Sequence, residues 1–129
     1  HDGAAVKEAF ETLKNVEPDL VLTHARYDLH QDHRLASELT WNTFRDHAIL
    51  EYEIPKYDGD IGAPNVFVPV TRELTDEKIR LVLEHFPSQA DRHWFDGELF
   101  RSLMRMRGME CAGEYAEAFT CRKLVLRTP

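Results

Sequence analysis

The sequence has no apolar run near the roughly 20 residues that a membrane-spanning helix needs, and no basic start leading into an apolar stretch of the kind that marks a secretory signal. It has only two cysteines, Cys111 and Cys121, and they form neither a CxxC pair nor a zinc-finger spacing. Both are read as small buried side chains in a reducing compartment, so a cytoplasmic location is expected. A basic excess is also missing. Lys and Arg number 16 against 23 Asp and Glu, and the resulting charge of -7 argues against nucleic acid as the main partner. No internal repeat, linker or low-complexity segment breaks the 129 residues, a length suited to one domain with one core.

The acidic charge is uneven. Residues 1–64 carry 13 acids and 6 bases, while residues 65–129 carry ten of each. An acid-rich half suits a cation site, but on charge alone a solvated acidic surface is the favoured reading.

Hydrophobic periodicity sets the element order. Val6, Ala9, Phe10, Leu13 and Val16 fall on one face of a helix over 3–16, which Pro18 ends. Leu20–Leu22 is an unbroken apolar run, expected to be a central strand buried on both faces. A second helix is expected to start near His33, then strands over Ala48–Ile54 and Val66–Val70, with a Gly- and Pro-bearing loop over Lys56–Asn65 between them. Thr75 has the chemistry of an N-cap for a helix striped by Ile79, Val82, Leu83 and Phe86. Another helix is expected over residues 91–107, stopped by Gly108, and a last strand over Ala118–Leu126. The order is that of an α/β protein with some parallel pairing, in a single domain over residues 1–129. It opens on a helix, whereas doubly wound sheets usually open on a strand that holds the first ligand-binding turn.

Sites in open α/β sheets form just beyond the carboxyl ends of strands. The segment from Thr23 to His33 occupies that place and holds His24, Asp28, His30, Asp32 and His33. The spacing of three between His30 and His33, at the mouth of a helix, can aim both imidazoles at one cavity. Asp32 between them can orient a ring by accepting its N–H. Imidazole with carboxylate suits zinc, and His33 is the first candidate ligand because it opens the helix. His30 is the candidate for stabilising an oxyanion or protonating a leaving amine. His47, His85 and His93 stand alone and read as surface or interface residues.

The segment PDLVLTHARYDLHQDHR resembles the second motif of the LmbE/PIG-L-like family of zinc-dependent N-deacetylases. The likeness continues through AILEYEIP, PNVFVPVT, PSQADRHWF, FRSLMRMRG and EYAEAF, from about Pro18 to Leu126. The resemblance implies a Rossmann-like three-layer fold and removal of N-acetyl groups from N-acetylglucosamine-type conjugates. It implies that His33 is a zinc ligand, that His30 stabilises the oxyanion, and that Asp32 supports that histidine. Tyr115 would line the substrate cleft, and Asp28 is placed with it as a substrate-binding residue.

The family's first motif, His-Pro-Asp-Asp, is absent, and His1-Asp2-Gly3 is no substitute because it precedes a helix. By this likeness the chain is the C-terminal portion of such an enzyme, truncated at its N-terminus. It is expected to bind zinc weakly or not at all by itself, and to be inactive alone. Three alternatives stay open: a fragment of a working deacetylase, a non-catalytic relative serving as an oligomeric binding or structural module, and a metal site rebuilt across a symmetric dimer from His30, His33 and Asp28 of both chains. An apolar run left without covering strands favours a homo-oligomer, most simply a two-fold dimer.

Overall fold

A computed structural model describes residues 3–126 and 128. His1 and Asp2, weighed above as a stand-in for a first motif, lie outside them. The chain is mixed α/β, with helices and strands in the expected order. It forms two compact units, one built from the chain up to Glu53 together with the segment from Thr120, the other from Ile54–Phe119.

The first unit is a strand–helix–strand arrangement with a helix before it. Helix α1 (Gly3–Glu11) tightens into a 3-10 turn over Thr12–Asn15. Strand β1 (Leu20–His24) pairs in parallel with β2 (Ala48–Tyr52), from Leu20 opposite Ala48 to His24 opposite Tyr52. Parallel strands need a crossover, and α2 (Gln31–Thr43) supplies it. Thr23 on β1 and Thr40 on α2 join their hydroxyls at 3.0 Å in the interior. Ile49, Leu39 and Phe44 fill the apolar part of this core.

The strand expected to be central and buried on both faces is neither. Among the described residues β1 pairs with β2 alone. Only one of its faces is covered: Thr23 is buried, while Leu20 and Leu22 are 49% and 54% exposed. Successive strand side chains point to opposite faces, so a run of three apolar residues serves both. On the leucine face each side chain keeps about half of its surface exposed. The expected last strand is shifted toward the N-terminus, to Tyr115–Thr120: Arg122 and Lys123 turn their side chains to Glu51 and to the Arg45 carbonyl, and the segment after Thr120 leaves the ladder.

In the second unit, β3 (Val66–Val70) runs antiparallel to β4 (Tyr115–Thr120), from Val66 opposite Phe119 to Val70 opposite Tyr115. Helices α3 (Arg72–His85) and α4 (Gly97–Glu110) accompany them. Helix α3 starts one turn before the expected cap. Thr71 is the N-cap, accepting from the Leu74 N–H at 3.2 Å, and Thr75 is fully buried with its hydroxyl donating to the Thr71 carbonyl. Its apolar stripe is only partly used, since Ile79 is buried but Leu83 and Phe86 are exposed. Helix α4 begins at Gly97 because Asp96 caps it, accepting from the Leu99 N–H at 2.8 Å. The first residues of the expected helix, 91–96, are turns and bends instead, after a short 3-10 turn over Pro87–Gln89. Helix α4 also runs through Gly108 instead of stopping there.

The loop before β3 is pinned by charge: Lys56 pairs with Asp60, both nearly buried, and the buried Arg107 donates to the Gly62 carbonyl at 3.0 Å. Cys111 and Cys121 are both only partly buried, against expectation. No helix among the described residues is long and apolar enough to cross a membrane.

Candidate metal centre

Strand β1 ends at His24, and the six residues that follow fold back on themselves before α2 begins. Backbone bonds fix that turn. Ala25 N–H donates to the Tyr52 carbonyl at 3.1 Å, which extends the parallel ladder by one bond, and Asp28 N–H donates to the Ala25 carbonyl at 3.1 Å. From α2, Arg34 reaches back to the carbonyls of Asp28 and Leu29. At the base of the turn Glu51, 1% exposed, accepts from the Arg26 N–H at 3.1 Å.

This scaffold gathers four of the expected side chains. His30 is the N-cap of α2, and its Nδ1 accepts from the Asp32 N–H at 3.3 Å. Imidazole at an N-cap does the job of a Ser or Asp oxygen, satisfying one of the first free N–H groups of the helix. His33, one turn further, stacks on His30 with ring centroids 4.4 Å apart. On its other side His33 stacks on His24 at 4.0 Å, the planes 9° apart. Asp28, 3% exposed, sets its carboxylate beneath them, Oδ2 lying 2.9 Å from His33 Nδ1 and Oδ1 accepting the His30 N–H at 2.8 Å.

His24, Asp28 and His33 each offer a ligand atom, and these atoms all lie within 4.8 Å of one another. One chain therefore brings these donors together, without a second copy. Sequence spacing pointed to His30 and His33 and named His24 as a neighbour, but it gave the orienting role to Asp32. The carboxylate that reaches His33 is that of Asp28, while Asp32 is exposed and meets His30 through its backbone N–H.

Tyr52, at the end of β2, was not singled out by the sequence. Its ring lies 4.8 Å from that of His24. Burial, and then the charge of Asp28, raise its phenol above the ordinary value, so it stays neutral and keeps its O–H. Tyr115 belongs to the second unit, where it is 5% exposed at the start of β4 with the guanidinium groups of Arg72 and Arg101 over its ring. Of the three solitary histidines, His85 and His93 are exposed as expected, while His47 is half-buried with its ring edge-on to Phe44.

No protein-family model matches the sequence, and no curated protein matches it. Solved structures do match the fold. A conserved protein of Thermus thermophilus superposes with a TM-score of 0.73 at 21% identity, over 95% of this chain and 59% of its own. The 4-carboxy-2-hydroxymuconate hydratase of Pseudomonas putida gives 0.72 at 16% identity, over 100% of this chain and 62% of its own. The N,N'-diacetylchitobiose deacetylase of Pyrococcus horikoshii gives 0.65 at 20% identity, over 92% and 51%. The chain thus has the fold of these proteins and spans between half and two thirds of their length.

Proposed function

We propose that the chain carries one part of the site of a zinc-dependent N-deacetylase of the LmbE/PIG-L-like type, acting on N-acetylglucosamine-type conjugates. The observation that carries this reading is the stack of His24, His33 and His30 over the buried Asp28, at the carboxyl end of a parallel strand. The fold by itself does not choose the chemistry, since a hydratase and a deacetylase both share it. The side chains do favour one: two imidazoles with a carboxylate beside them, all within 4.8 Å, suit zinc held by histidine with a carboxylate to orient the ring.

In this reading His33 is a metal ligand and His24 lies within reach of the same ion. Bound there, zinc would polarise the amide carbonyl and lower the pKa of a water. His30 acts as donor to the developing oxyanion. Its Nδ1 accepts from Asp32 N–H, so the neutral ring carries its proton on Nε2 and can donate outward. The Asp32 backbone fixes that ring. Tyr115 is proposed to serve substrate binding, while the buried Asp28, engaged by His33 and the His30 N–H, supports the cluster from within. The remaining ligands and the general base of a deacetylase must come from residues other than these, so the chain alone is expected to bind zinc weakly and to release no acetate from an N-acetylglucosamine conjugate. Titration calorimetry with zinc should give a weak one-to-one isotherm. Replacing His33 by Ala should weaken it by more than the roughly 100-fold upper end of losses from outer-shell changes. Zinc binding that survives His33→Ala unchanged would sink the reading.

The exposed leucine face favours self-association, and a two-fold dimer through β1 is proposed. Each exposed apolar Å² costs about 25 cal/mol relative to burial, and closed two-fold symmetry is the commonest way to cover it. Sedimentation equilibrium at micromolar concentration should show a species of twice 15.0 kDa, and Leu22→Lys should return it to the monomer. A single species at the monomer mass for the unaltered chain rejects the dimer.

A further inference from the structure

We infer that Asp28 is the positioning residue of the histidine cluster: it holds His33 in the Nδ1–H tautomer and so leaves His33 Nε2 as the nitrogen offered to a metal. An ionised carboxylate can only accept hydrogen bonds. Asp28 Oδ2 sits 2.9 Å from His33 Nδ1, so the proton between them belongs to the ring. The other oxygen, Oδ1, takes the His30 N–H at 2.8 Å. The two bonds fix the carboxylate plane, and the backbone around it is tied at both ends, by Asp28 N–H to the Ala25 carbonyl and by Arg34 to the Asp28 carbonyl. Asp28 is 3% exposed, so water does not compete for it. Asp32, which the sequence pattern puts forward for this task, is exposed on the first turn of α2.

A buried carboxylate that grips one imidazole nitrogen of a metal-binding histidine fixes its tautomer and direction. Here the same carboxylate also receives the backbone N–H of the helix N-cap. The start of α2 and the aim of His33 are therefore set together. The tautomer follows from the hydrogen bonds alone, while its use for metal rests on the proposed reading of His33 as a ligand.

The substitution Asp28→Asn tests this with a change of sign. The His30 N–H still needs an acceptor, so it holds the amide oxygen of the new side chain and turns the NH2 group toward His33. That group can only donate. His33 Nδ1 must then accept, and the ring proton moves to Nε2, the nitrogen a metal would need. The full chain is labelled with 15N-histidine, and long-range 1H–15N correlation spectra are recorded without metal, at a pH where the ring nitrogens give the signals of neutral imidazole. His33 of the unaltered protein is expected as Nδ1–H. Asp28→Asn is expected to convert it to Nε2–H and to weaken zinc binding about 10–100-fold. Asp32→Asn is expected to leave the His33 tautomer as it was.

Nε2–H at His33 in the unaltered protein, or a tautomer that Asp28→Asn does not move, overturns the inference. If Asp28→Asn fails to fold, the tautomer of the unaltered protein decides it. Zinc added to that protein separates the two claims. A His33 Nε2 signal that zinc does not shift refutes the metal reading, while the tautomer still decides the role of Asp28.

Discussion

Gly108→Ala is expected to destabilise the protein by about 3 kcal/mol or more, a large loss for adding one methyl group. In the interior of a helix the same change ordinarily stabilises, by roughly 0.5–1 kcal/mol, because glycine is the less favourable residue there. The surroundings of Gly108 reverse the sign. After α4 ends, the chain turns through Ala112, which takes a left-handed conformation at φ 58°, and returns directly across the helix. Gly113 N–H donates to the Gly108 carbonyl at 2.8 Å, and the backbone of Glu114 and Tyr115 then lies against the Gly108 Cα. A Cβ at position 108 would stand 2.5 Å from the Glu114 carbonyl oxygen and 2.7 Å from the Tyr115 Cα. These are backbone atoms, which cannot rotate away as a side chain can. Relief would require moving the start of β4, which is paired with β3 from Tyr115 onward. Urea unfolding measures the effect as a fall in midpoint at constant slope. An alanine variant as stable as the parent, or more stable, would show that β4 can shift freely.

Gly108 also shows where local reading stops. A glycine near the end of a helical stripe is a good stop signal, and the sequence pattern places one there. What it serves is close approach by a strand seven residues further on, and no local pattern carries that. The order of helices and strands was legible because periodicity is a local property, and it survived in full. Burial was less so. Leu20, Val21 and Leu22 announce a strand, but whether each face is covered depends on elements elsewhere, and the leucine face is open. Thr71 and Thr75 have the same capping chemistry, and only the packing of α3, which buries Thr75, selects between them.

The site divides along the same line. His30 and His33 were legible because a spacing of three at a helix start puts two rings on one side, and they stack. The partner of His33 was not, because Asp28 reaches it only through the turn that the Ala25 and Asp28 backbones close. Between Asp28 and Asp32 the sequence offers two carboxylates within reach, and the turn decides.

Glu51 is the residue that sequence gave no reason to notice, and Glu51→Gln is expected to cost about 2–3 kcal/mol although the two side chains have nearly the same shape. Glu51 lies on β2 opposite Thr23, 1% exposed. Its Oε1 accepts from Trp41 Nε1 at 2.7 Å and from Arg122 Nε at 2.6 Å, and its Oε2 accepts from the Arg26 N–H at 3.1 Å. Three donors from the turn after β1, from α2 and from the segment after β4 converge on two oxygens. A carboxylate accepts at both; an amide accepts at one and donates at the other. Whichever way glutamine is turned, its NH2 group faces a donor. Facing Arg26 it opposes a backbone N–H, and facing Trp41 and Arg122 it opposes two. Glu51→Ala should cost more, about 3–4 kcal/mol, because all three donors lose their partner, although Arg122 is a third exposed and can turn to water. The effect should also reach the metal centre. Arg26 lies two residues before Asp28, so freeing its N–H loosens the turn that seats the carboxylate under His33. Zinc binding by Glu51→Gln at a temperature where the variant is still folded should therefore be weaker than in the parent. Urea unfolding and zinc calorimetry on the same preparation read both consequences. A glutamine variant within about 0.5 kcal/mol of the parent, the range of an ordinary surface substitution, would mean that the three donors find other acceptors and that Glu51 does not hold the turn.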